Sequence, residues 1–276
     1  NRGRILSEMS IIREGSDAFA LITAAAAQWH DFEHLKKHLP EGLVLRDHTD
    51  EIDTLIVTGP KSPGLFKPLT DADLDLGWLS HQSASVAGRP CTLIRVSFAG
   101  ELGWEVHAAN EDMPTIFDAV LDAGAKPFGM WALNSLRLEK GYRAWKGDLS
   151  TDYSLLEGGL ERFIKFDKPQ DFAGKAALLA EKQRGVTKRF VTLIVLANKS
   201  DAPYMSTLWY DGEIVGETTS GGWGYRMNAS IALGMVRADL AAPGTRLEVE
   251  IYGERVGAVV QDDAPLWDPE NARLKA

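Results

Sequence analysis

The sequence is poor in cysteine, since Cys91 is the only one among its 276 residues. A single thiol cannot form an intrachain disulfide, and it cannot supply a cysteine-rich metal site. This composition suits a reducing compartment, where thiols remain free. Cys91 follows Pro90 and precedes an apolar run, so we expect a buried side chain without a chemical role.

The chain also lacks an apolar run long enough to span a membrane, which needs about 20 residues. The small apolar stretch at residues 23–27 is soon followed by polar residues. No signal peptide and no initiator methionine stand at the start, which is NRGRILSEMS. We therefore expect no membrane partner, and we interpret the sequence as an N-terminally incomplete piece or processed product of a longer polypeptide.

Basic residues are scarce relative to acidic ones, with 30 Lys and Arg against 39 Asp and Glu and a formal charge of −9. A nucleic-acid surface needs a basic face, so we expect no nucleic-acid partner. A few local cations would still suffice for a small anionic ligand. The hydrophobic content of 45% is that of an ordinary globular protein.

The first two thirds of the chain mix strand and helix patterns. Alternation predicts a hairpin of strands at 4–13 and 18–23, and apolar periodicity predicts helices at 24–39, 113–123 and 174–183. Shorter patterns predict strands at 43–48, 54–59, 90–97, 105–108 and 162–166, and short helices at 60–69 and 70–74.

Helical periodicity stops near Gly185, and short strands separated by turn residues follow. The pairs Asp211-Gly212 and Tyr252-Gly253 mark tight hairpins. Strands are predicted at 190–196, 207–210, 213–217, 230–236, 245–251 and 255–261. The predicted fold class is therefore α+β, with a mixed α/β body at 1–185, split near 95, and an all-β barrel domain at 186–276.

Residues 131–159 form the densest candidate for a site. An apolar helical stripe ends at Gly141, where a left-handed cap is expected. Aromatic and charged residues then crowd one loop, which is typical of functional loops on a rigid element. An ordinary capped helix followed by a solvated loop explains the same pattern.

Two other motifs have patterns that resemble functional sites. The run from His30 to His34 matches the H-x-x-E-H pattern of some zinc peptidases. His38 continues that helical face and no third ligand is evident, so we expect a solvated face and no metal. The glycine-rich run at 219–224 lacks a nucleotide-binding pattern and is interpreted as a turn between strands, where Trp223 would suit a flat ligand.

Glu8 and Glu105 are predicted on half-buried strands, where a carboxylate needs a partner. A structural salt bridge with Arg95 or Arg137 is one interpretation. The other is a carboxylate that grips a planar N–H edge through two hydrogen bonds. The residues alone leave both interpretations open.

Four segments together resemble the folate-binding aminomethyltransferase family, which includes the glycine-cleavage T-protein. They are RVSFAGELGWEVH (95–107), LNSLRLEKGYRAWKGDLSTDYSLLEGGL (133–160), FIKFDKPQDFAGKAAL (163–178) and GEIVGETTSGGWG (212–224). The similarity runs in order along nearly the whole chain. It is strongest to the C-terminal tetrahydrofolate domain of dimethylglycine and sarcosine dehydrogenases, and it implies a two-subdomain body with a C-terminal barrel around a folate channel.

The resemblance also implies roles for individual residues. The pterin-gripping glutamate of the family falls on Glu105, and its acid near the folate N10 falls on Glu8. Two successive aspartates of T-proteins are here Ser7 and Glu8, a T-protein arginine is Leu133, and a motif tyrosine is Phe98. Tyr142, Trp145, Asp148 and Trp223 are implied to line the channel.

The implied activity is transfer of a one-carbon unit from an N-methylated amine to tetrahydrofolate, giving 5,10-methylenetetrahydrofolate. FAD would belong only to an upstream oxidoreductase domain or subunit, because no dinucleotide fingerprint occurs here. The bacterial cytoplasm or the mitochondrial matrix is the implied compartment. A stand-alone T-protein or folate-dependent demethylase is an alternative, and a non-enzymatic folate-binding iron–sulfur assembly factor is another. The latter branch has K-G-C-x-x-G-Q where this chain has Lys140-Gly141-Tyr142.

Overall fold

The computed structural model describes residues 2–197 and 199–276. The chain divides into two compact units. The barrel unit comprises Asn1–Met9 and Asn134–Trp267, and the sheet unit comprises Ser10–Leu133 and Asp268–Ala276. The predicted domain division at residue 185 remains a prediction.

The sheet unit is built on a four-stranded antiparallel sheet in the order β3-β6-β5-β4. Along the chain the elements are β1 Met9–Arg13, β2 Phe19–Thr23, α1 Gln28–His38, β3 Ile52–Thr58, α2 Ser62–Phe66, β4 His81–Val86, β5 Arg89–Ile94, β6 Gly103–Ala109 and α3 Met113–Asp122, with 3-10 helices at Ala25–Ala27 and Lys67–Leu69. β1 and β2 form a separate two-stranded sheet.

One face of the four-stranded sheet is apolar and forms the core of its unit. Leu93, Trp104 and Val106 lie on this face and pack in one cluster with Ile116 and Val120 of α3. Successive residues of a strand point to opposite faces. Residues 105 and 107 of β6 therefore belong to the other face, which is free to hold polar groups.

The barrel unit contains a closed six-stranded barrel in the order β10-β7-β12-β11-β8-β9. Its elements are α5 Lys175–Arg184, β7 Lys188–Val195, β8 Thr207–Tyr210, β9 Glu213–Gly224, β10 Ala229–Arg237, β11 Arg246–Ile251 and β12 Glu254–Val260, with 3-10 helices at Glu161–Phe163 and Ala238–Leu240. A further helix, α4, spans Met130–Glu139 and ends inside this unit. The predicted α+β class with a C-terminal barrel is confirmed.

The glycine-rich run at 219–224 lies inside strand β9. The interpretation of this run as a turn between strands is therefore wrong. Glycine is required because the backbone of other segments of the chain approaches β9 closely. A Cβ atom on Gly221 would lie 2.0 Å from the carbonyl oxygen of Ala202, and one on Gly216 would lie 2.0 Å from that of Met235. Close backbone approach is a known reason for glycine within strands.

Several short predicted elements are wrong. Residues 43–48 form no strand. Val44 is 78% exposed, so burial of its side chain does not stabilise an extended conformation there. Residues 70–74 are not helical, and the strand expected at 162–166 is instead the 3-10 helix Glu161–Phe163. β4 was not predicted, because its sequence HQSASV lacks the β-branched and aromatic residues typical of strands. Its pairing with β5 makes it a strand.

Among the described residues, no helix has the length and apolar character needed to cross a membrane.

Candidate functional site

Glu105 lies on the polar face of β6, with 20% of its side chain exposed. Its carboxylate contacts His107, whose Nε2 is 3.2 Å from Oε2. Within the described part of the chain, no other hydrogen bond or ion pair involves the Glu105 side chain. The proposed structural salt bridge of Glu105 with Arg95 or Arg137 is therefore wrong, and the second oxygen is open to a ligand.

The two arginines expected as partners of Glu105 are engaged elsewhere. Arg95 is buried, donates hydrogen bonds to the carbonyl oxygens of Leu76 and Ala276 at 3.2 Å each, and lies over the ring of Trp104. Arg137 belongs to a buried network in the barrel unit. The sequence cannot show which acceptor each arginine binds, because this depends on which acceptors the fold brings close to its guanidinium.

Glu8 immediately precedes β1, is exposed, and belongs to the barrel unit. Its predicted position within a strand is therefore wrong, because the strand expected at 4–13 begins only at Met9. The neighbouring Ser7 has a buried Oγ for which no hydrogen-bond partner exists among the described residues. A buried polar atom without a partner calls for an explanation such as a bound ligand or water. The Ser7-Glu8 pair thus combines an accessible acid with an unsatisfied hydroxyl.

The helix α4 ends as the sequence predicted. Gly141 has φ +64°, its amide donates to the carbonyl of Leu138, and the amide of Tyr142 donates to that of Arg137 at 3.0 Å. These bonds close the last helical turn, and glycine accepts the left-handed conformation without a Cβ clash. The loop with Tyr142, Trp145 and Asp148 therefore starts from a defined position.

Asp148 anchors this loop by a buried network. Its side chain is fully buried, and Oδ2 lies 2.6 Å from Nη1 of Arg137. The same oxygen accepts hydrogen bonds from Ser220 Oγ and the amide of Ala144, and Oδ1 accepts one from Thr219 Oγ1 at 2.5 Å. The carboxylate is saturated by these partners, so its place in the site is to hold the loop against β9.

The aromatic candidates lie in the same unit as Asp148. Tyr142 and Trp145 are half-buried in the loop, and Trp145 packs against the core cluster of Leu138 and Leu149. Trp223 is half-buried on β9, and its carbonyl accepts a hydrogen bond from Ser135 Oγ of α4 at 2.6 Å. The structure thus joins α4, the loop and β9, while Glu105 belongs to the sheet unit.

Arg143 is a largely buried cation of this loop, with 12% of its side chain exposed, and sequence reasoning did not assign it a role. Its guanidinium lies 4.0 Å from the centre of the Phe190 ring, and its Nη2 lies 4.0 Å from Oδ1 of Asp263. Burial lowers the pKa of Arg143, and the nearby Arg162 adds to this effect. An arginine beside an aromatic residue in the sequence can indicate cation–π stacking. Here the stacking partner is Phe190, which lies 47 residues away along the chain, so the sequence did not reveal it.

Glu139 forms another buried ion pair that the sequence did not indicate. The residue is fully buried at the end of α4, pairs with the Arg226 guanidinium, and accepts a hydrogen bond from the amide of Met227 at 3.1 Å. Arg226 also lies over the Trp267 ring. The pair attaches α4 to the β9–β10 turn.

Two histidines of α1 lie next to each other on the helix. His34 and His38 have ring centroids 4.5 Å apart, and burial lowers the pKa of His34. Within residues 2–197 and 199–276, no group of three or more His, Cys, Asp or Glu side chains could hold a metal ion.

The family comparisons agree with this architecture. The model described as "GCVT N-terminal domain" matches residues 1–168, and that described as "Glycine cleavage T-protein C-terminal barrel domain" matches residues 188–268. A solved structure of the glycine cleavage system aminomethyltransferase T from Bartonella henselae has a TM-score of 0.85, with 23% identity, over 97% of this chain and 74% of that chain. This likeness shows the fold.

Two curated relatives differ in what their names describe. The chain is 35% identical to human mitochondrial dimethylglycine dehydrogenase over 99% of its own length, but it spans only 33% of that relative. It is 33% identical to an aminomethyltransferase of Synechocystis over 90% of its length and 66% of that relative. From both domain matches and the shared fold, the chain belongs to the folate-binding aminomethyltransferase family of the glycine cleavage T-protein.

Proposed function

We propose that this chain is a tetrahydrofolate-dependent one-carbon transferase module. An N-methylated amine such as dimethylglycine or sarcosine is first oxidised by an FAD-dependent partner, and this chain transfers the oxidised one-carbon unit to tetrahydrofolate, so that the product is 5,10-methylenetetrahydrofolate. The observation that supports this most is Glu105, a half-buried carboxylate with one oxygen held by His107 and the other open. Family membership supports the same ligand.

The donor set fits a pterin. A pterin presents adjacent ring N–H and amino groups in one plane, and a carboxylate accepts both through two hydrogen bonds. Half-burial strengthens these bonds, because less water competes for the carboxylate. Glu105 is therefore proposed to orient the ring. In the barrel unit, Tyr142, Trp145 and Trp223 are proposed as flat apolar surfaces that bind folate, and Asp148 as the residue that holds their loop in place.

Glu8 is proposed as the residue that moves a proton or stabilises positive charge on the one-carbon unit. Its exposure allows the carboxylate to reach a bound ligand, and the adjacent unpartnered Ser7 hydroxyl supports a ligand nearby. Tetrahydrofolate supplies the nitrogen nucleophiles when it is bound. The protein's task is then orientation and proton transfer, and no nucleophilic side chain is required.

An FAD-dependent oxidoreductase domain or subunit is proposed as the partner that oxidises the amine. The identity to dimethylglycine dehydrogenase along 99% of this chain supports this assignment. A glycine-cleavage aminomethyltransferase is the second candidate, and the identity to the Synechocystis aminomethyltransferase supports it. The bacterial cytoplasm or the mitochondrial matrix is the proposed compartment.

Ligand binding tests the proposal through thermal stability and isothermal titration. Tetrahydrofolate should raise the melting temperature, because it binds only the native state. Glu105→Gln should weaken binding by roughly tenfold, since it removes a charge-assisted acceptor. Glu8→Gln should leave binding within about twofold but slow transfer when formaldehyde and an amine supply the one-carbon unit.

The exposed Glu111→Gln is the matched control and should change neither quantity. An unchanged melting temperature at millimolar tetrahydrofolate would refute the folate assignment. Equal losses of binding in Glu105→Gln and Glu8→Gln would refute the separate roles of the two acids.

A further inference from the structure

We propose that His107 is a positioning residue that fixes the Glu105 carboxylate for recognition of the pterin edge, with Thr54 fixing His107 in turn. This inference rests on the proposed function of Glu105. It adds two residues, His107 and Thr54, that neither the family resemblance nor the sequence pattern assigned to the site.

The three side chains form a continuous chain of hydrogen bonds across two strands. Glu105 and His107 are two residues apart on β6 and therefore share one face of the sheet. Thr54 on β3 is the register partner of His107, and its Oγ1 lies 3.0 Å from Nδ1 of the imidazole. Nε2 of the same ring lies 3.2 Å from Oε2 of Glu105.

The chemistry of the groups determines where the ring proton lies. An ionised carboxylate only accepts, so Nε2 must carry a hydrogen and donate it to Glu105. In the neutral ring Nδ1 is then the acceptor, and it receives the hydroxyl hydrogen of Thr54. Thr54 thus selects the tautomer that holds Glu105.

The arrangement removes freedom from a flexible acid. A glutamate side chain loses substantial rotamer entropy when a ligand orders it. Here one carboxylate oxygen is already held, so the plane of the group is set before the ligand arrives. Preorganisation of this kind raises affinity by lowering the cost of ordering. The second oxygen and the remaining lone pair of the first can then accept the two ligand hydrogens.

An ordinary surface ion pair is the competing explanation, and the geometry argues against it. The His107 side chain is 11% exposed, whereas pairs that contribute little are those between exposed side chains. Both ring nitrogens form hydrogen bonds, whereas an ordinary ion pair needs only one of them. Thr92 is the register partner of His107 on β5, and none of the hydrogen bonds among the described residues joins it to the ring, so it provides a natural control.

Binding of tetrahydrofolate to single variants tests the proposal. His107→Ala should weaken binding by roughly tenfold, and Thr54→Val by roughly threefold. His107→Gln places an amide N–H near the position of Nε2, so it should restore affinity to within about threefold of the wild type. Thr92→Val should leave affinity unchanged. Rescue by the glutamine separates positioning from a general packing effect.

Nitrogen-15 NMR of the histidine ring provides a readout that needs no folate. In the unliganded protein His107 should occupy the Nε2–H tautomer. Thr54→Val should mix the tautomers, Glu105→Gln should alter the Nε2 shift, and Thr92→Val should leave the spectrum unchanged. A mixed-tautomer ring in the wild type would overturn the inference.

The two proposals fail in different ways. If the wild type binds folate while His107→Ala and His107→Gln bind equally well, the positioning role is refuted and the folate assignment stands. If the wild type does not bind folate, the proposed function is refuted, and the positioning role in folate recognition falls with it. The NMR spectra then decide only whether the hydrogen-bonded chain exists.

Discussion

At the scale of single residues, burial decides what an ionisable group can do. Asp148 is fully buried and saturated by four donors, whereas Glu105 keeps one oxygen open on a half-exposed face. The first arrangement suits a structural acid, because no ligand can reach it. The second suits recognition, since the carboxylate is held but still available.

Cys91 allows a prediction about alkaline pH. It is buried, and this burial raises the pKa of the thiol to about 11. Since the folded pKa is raised, the contribution to stability is complete below the unfolded value and is lost as pH rises toward 11. The stability advantage of the wild type over Cys91→Ala should therefore shrink between pH 8 and pH 10.5.

Urea unfolding at a series of pH values measures this difference. The control is the same comparison between pH 6 and pH 8, where the thiol is neutral in both states and the difference should be constant. A wild-type advantage that stays constant up to pH 10.5 would contradict the assigned burial effect.

At the scale of elements, the end of α4 is attached to β9 by side chains that lie far apart in sequence. Arg137 lies in α4, Asp148 lies in the loop that follows this helix, and Thr219 and Ser220 belong to β9. Each buried polar group in this network has a partner, which is the condition for such a network to rigidify a structure. The half-buried aromatics of the loop are thereby held in place.

Asp148→Asn should destabilise the protein by about 3 kcal/mol, because Arg137 would keep its charge in a buried position without a counter-charge. Chemical unfolding measures this loss as a lower urea midpoint. Asp152→Asn is the matched control in the same loop, since Asp152 is exposed and, among the described residues, its side chain hydrogen-bonds only to Ser150. It should cost less than about 1 kcal/mol, and a similar loss in both variants would contradict the network's importance.

At the scale of the whole molecule, the two kinds of sheet differ in how easily they open. Closure of the barrel leaves no free edge strand, and β7 and β10 are paired along their full lengths. The sheet of β1 and β2 has only two five-residue strands, with Ile11 65% and Phe19 56% exposed. Isolated two-stranded sheets are marginal in water.

Hydrogen exchange should therefore separate the two. Amides of β7 and β10 should exchange only through global unfolding, while those of β1 and β2 should exchange at least roughly a hundredfold faster. Mass spectrometry of peptic fragments measures both in one experiment. Equal protection in β1 and β10 would show that the two-stranded sheet is stabilised by more than its own pairing.

The sequence alone determined those features that depend on local periodicity and backbone chemistry. The helix predicted at 113–123 is observed at Met113–Asp122, the strand at 207–210 is observed at Thr207–Tyr210, and the cap at Gly141 is left-handed as expected. The α+β class with a C-terminal barrel followed from these local patterns, and the family followed from motifs spread along the chain.

Only the tertiary structure decided which partners the charged residues have and which weak patterns become strands. β4 exists because β5 pairs with it, and the glycine-rich run is a strand because neighbouring backbones approach it. The E-V-H spacing in β6 does place Glu105 and His107 on one face, but Thr54 joins them only through the register of β3. Local periodicity is a property of neighbouring residues, whereas register and buried ion pairs depend on contacts between residues far apart in the chain.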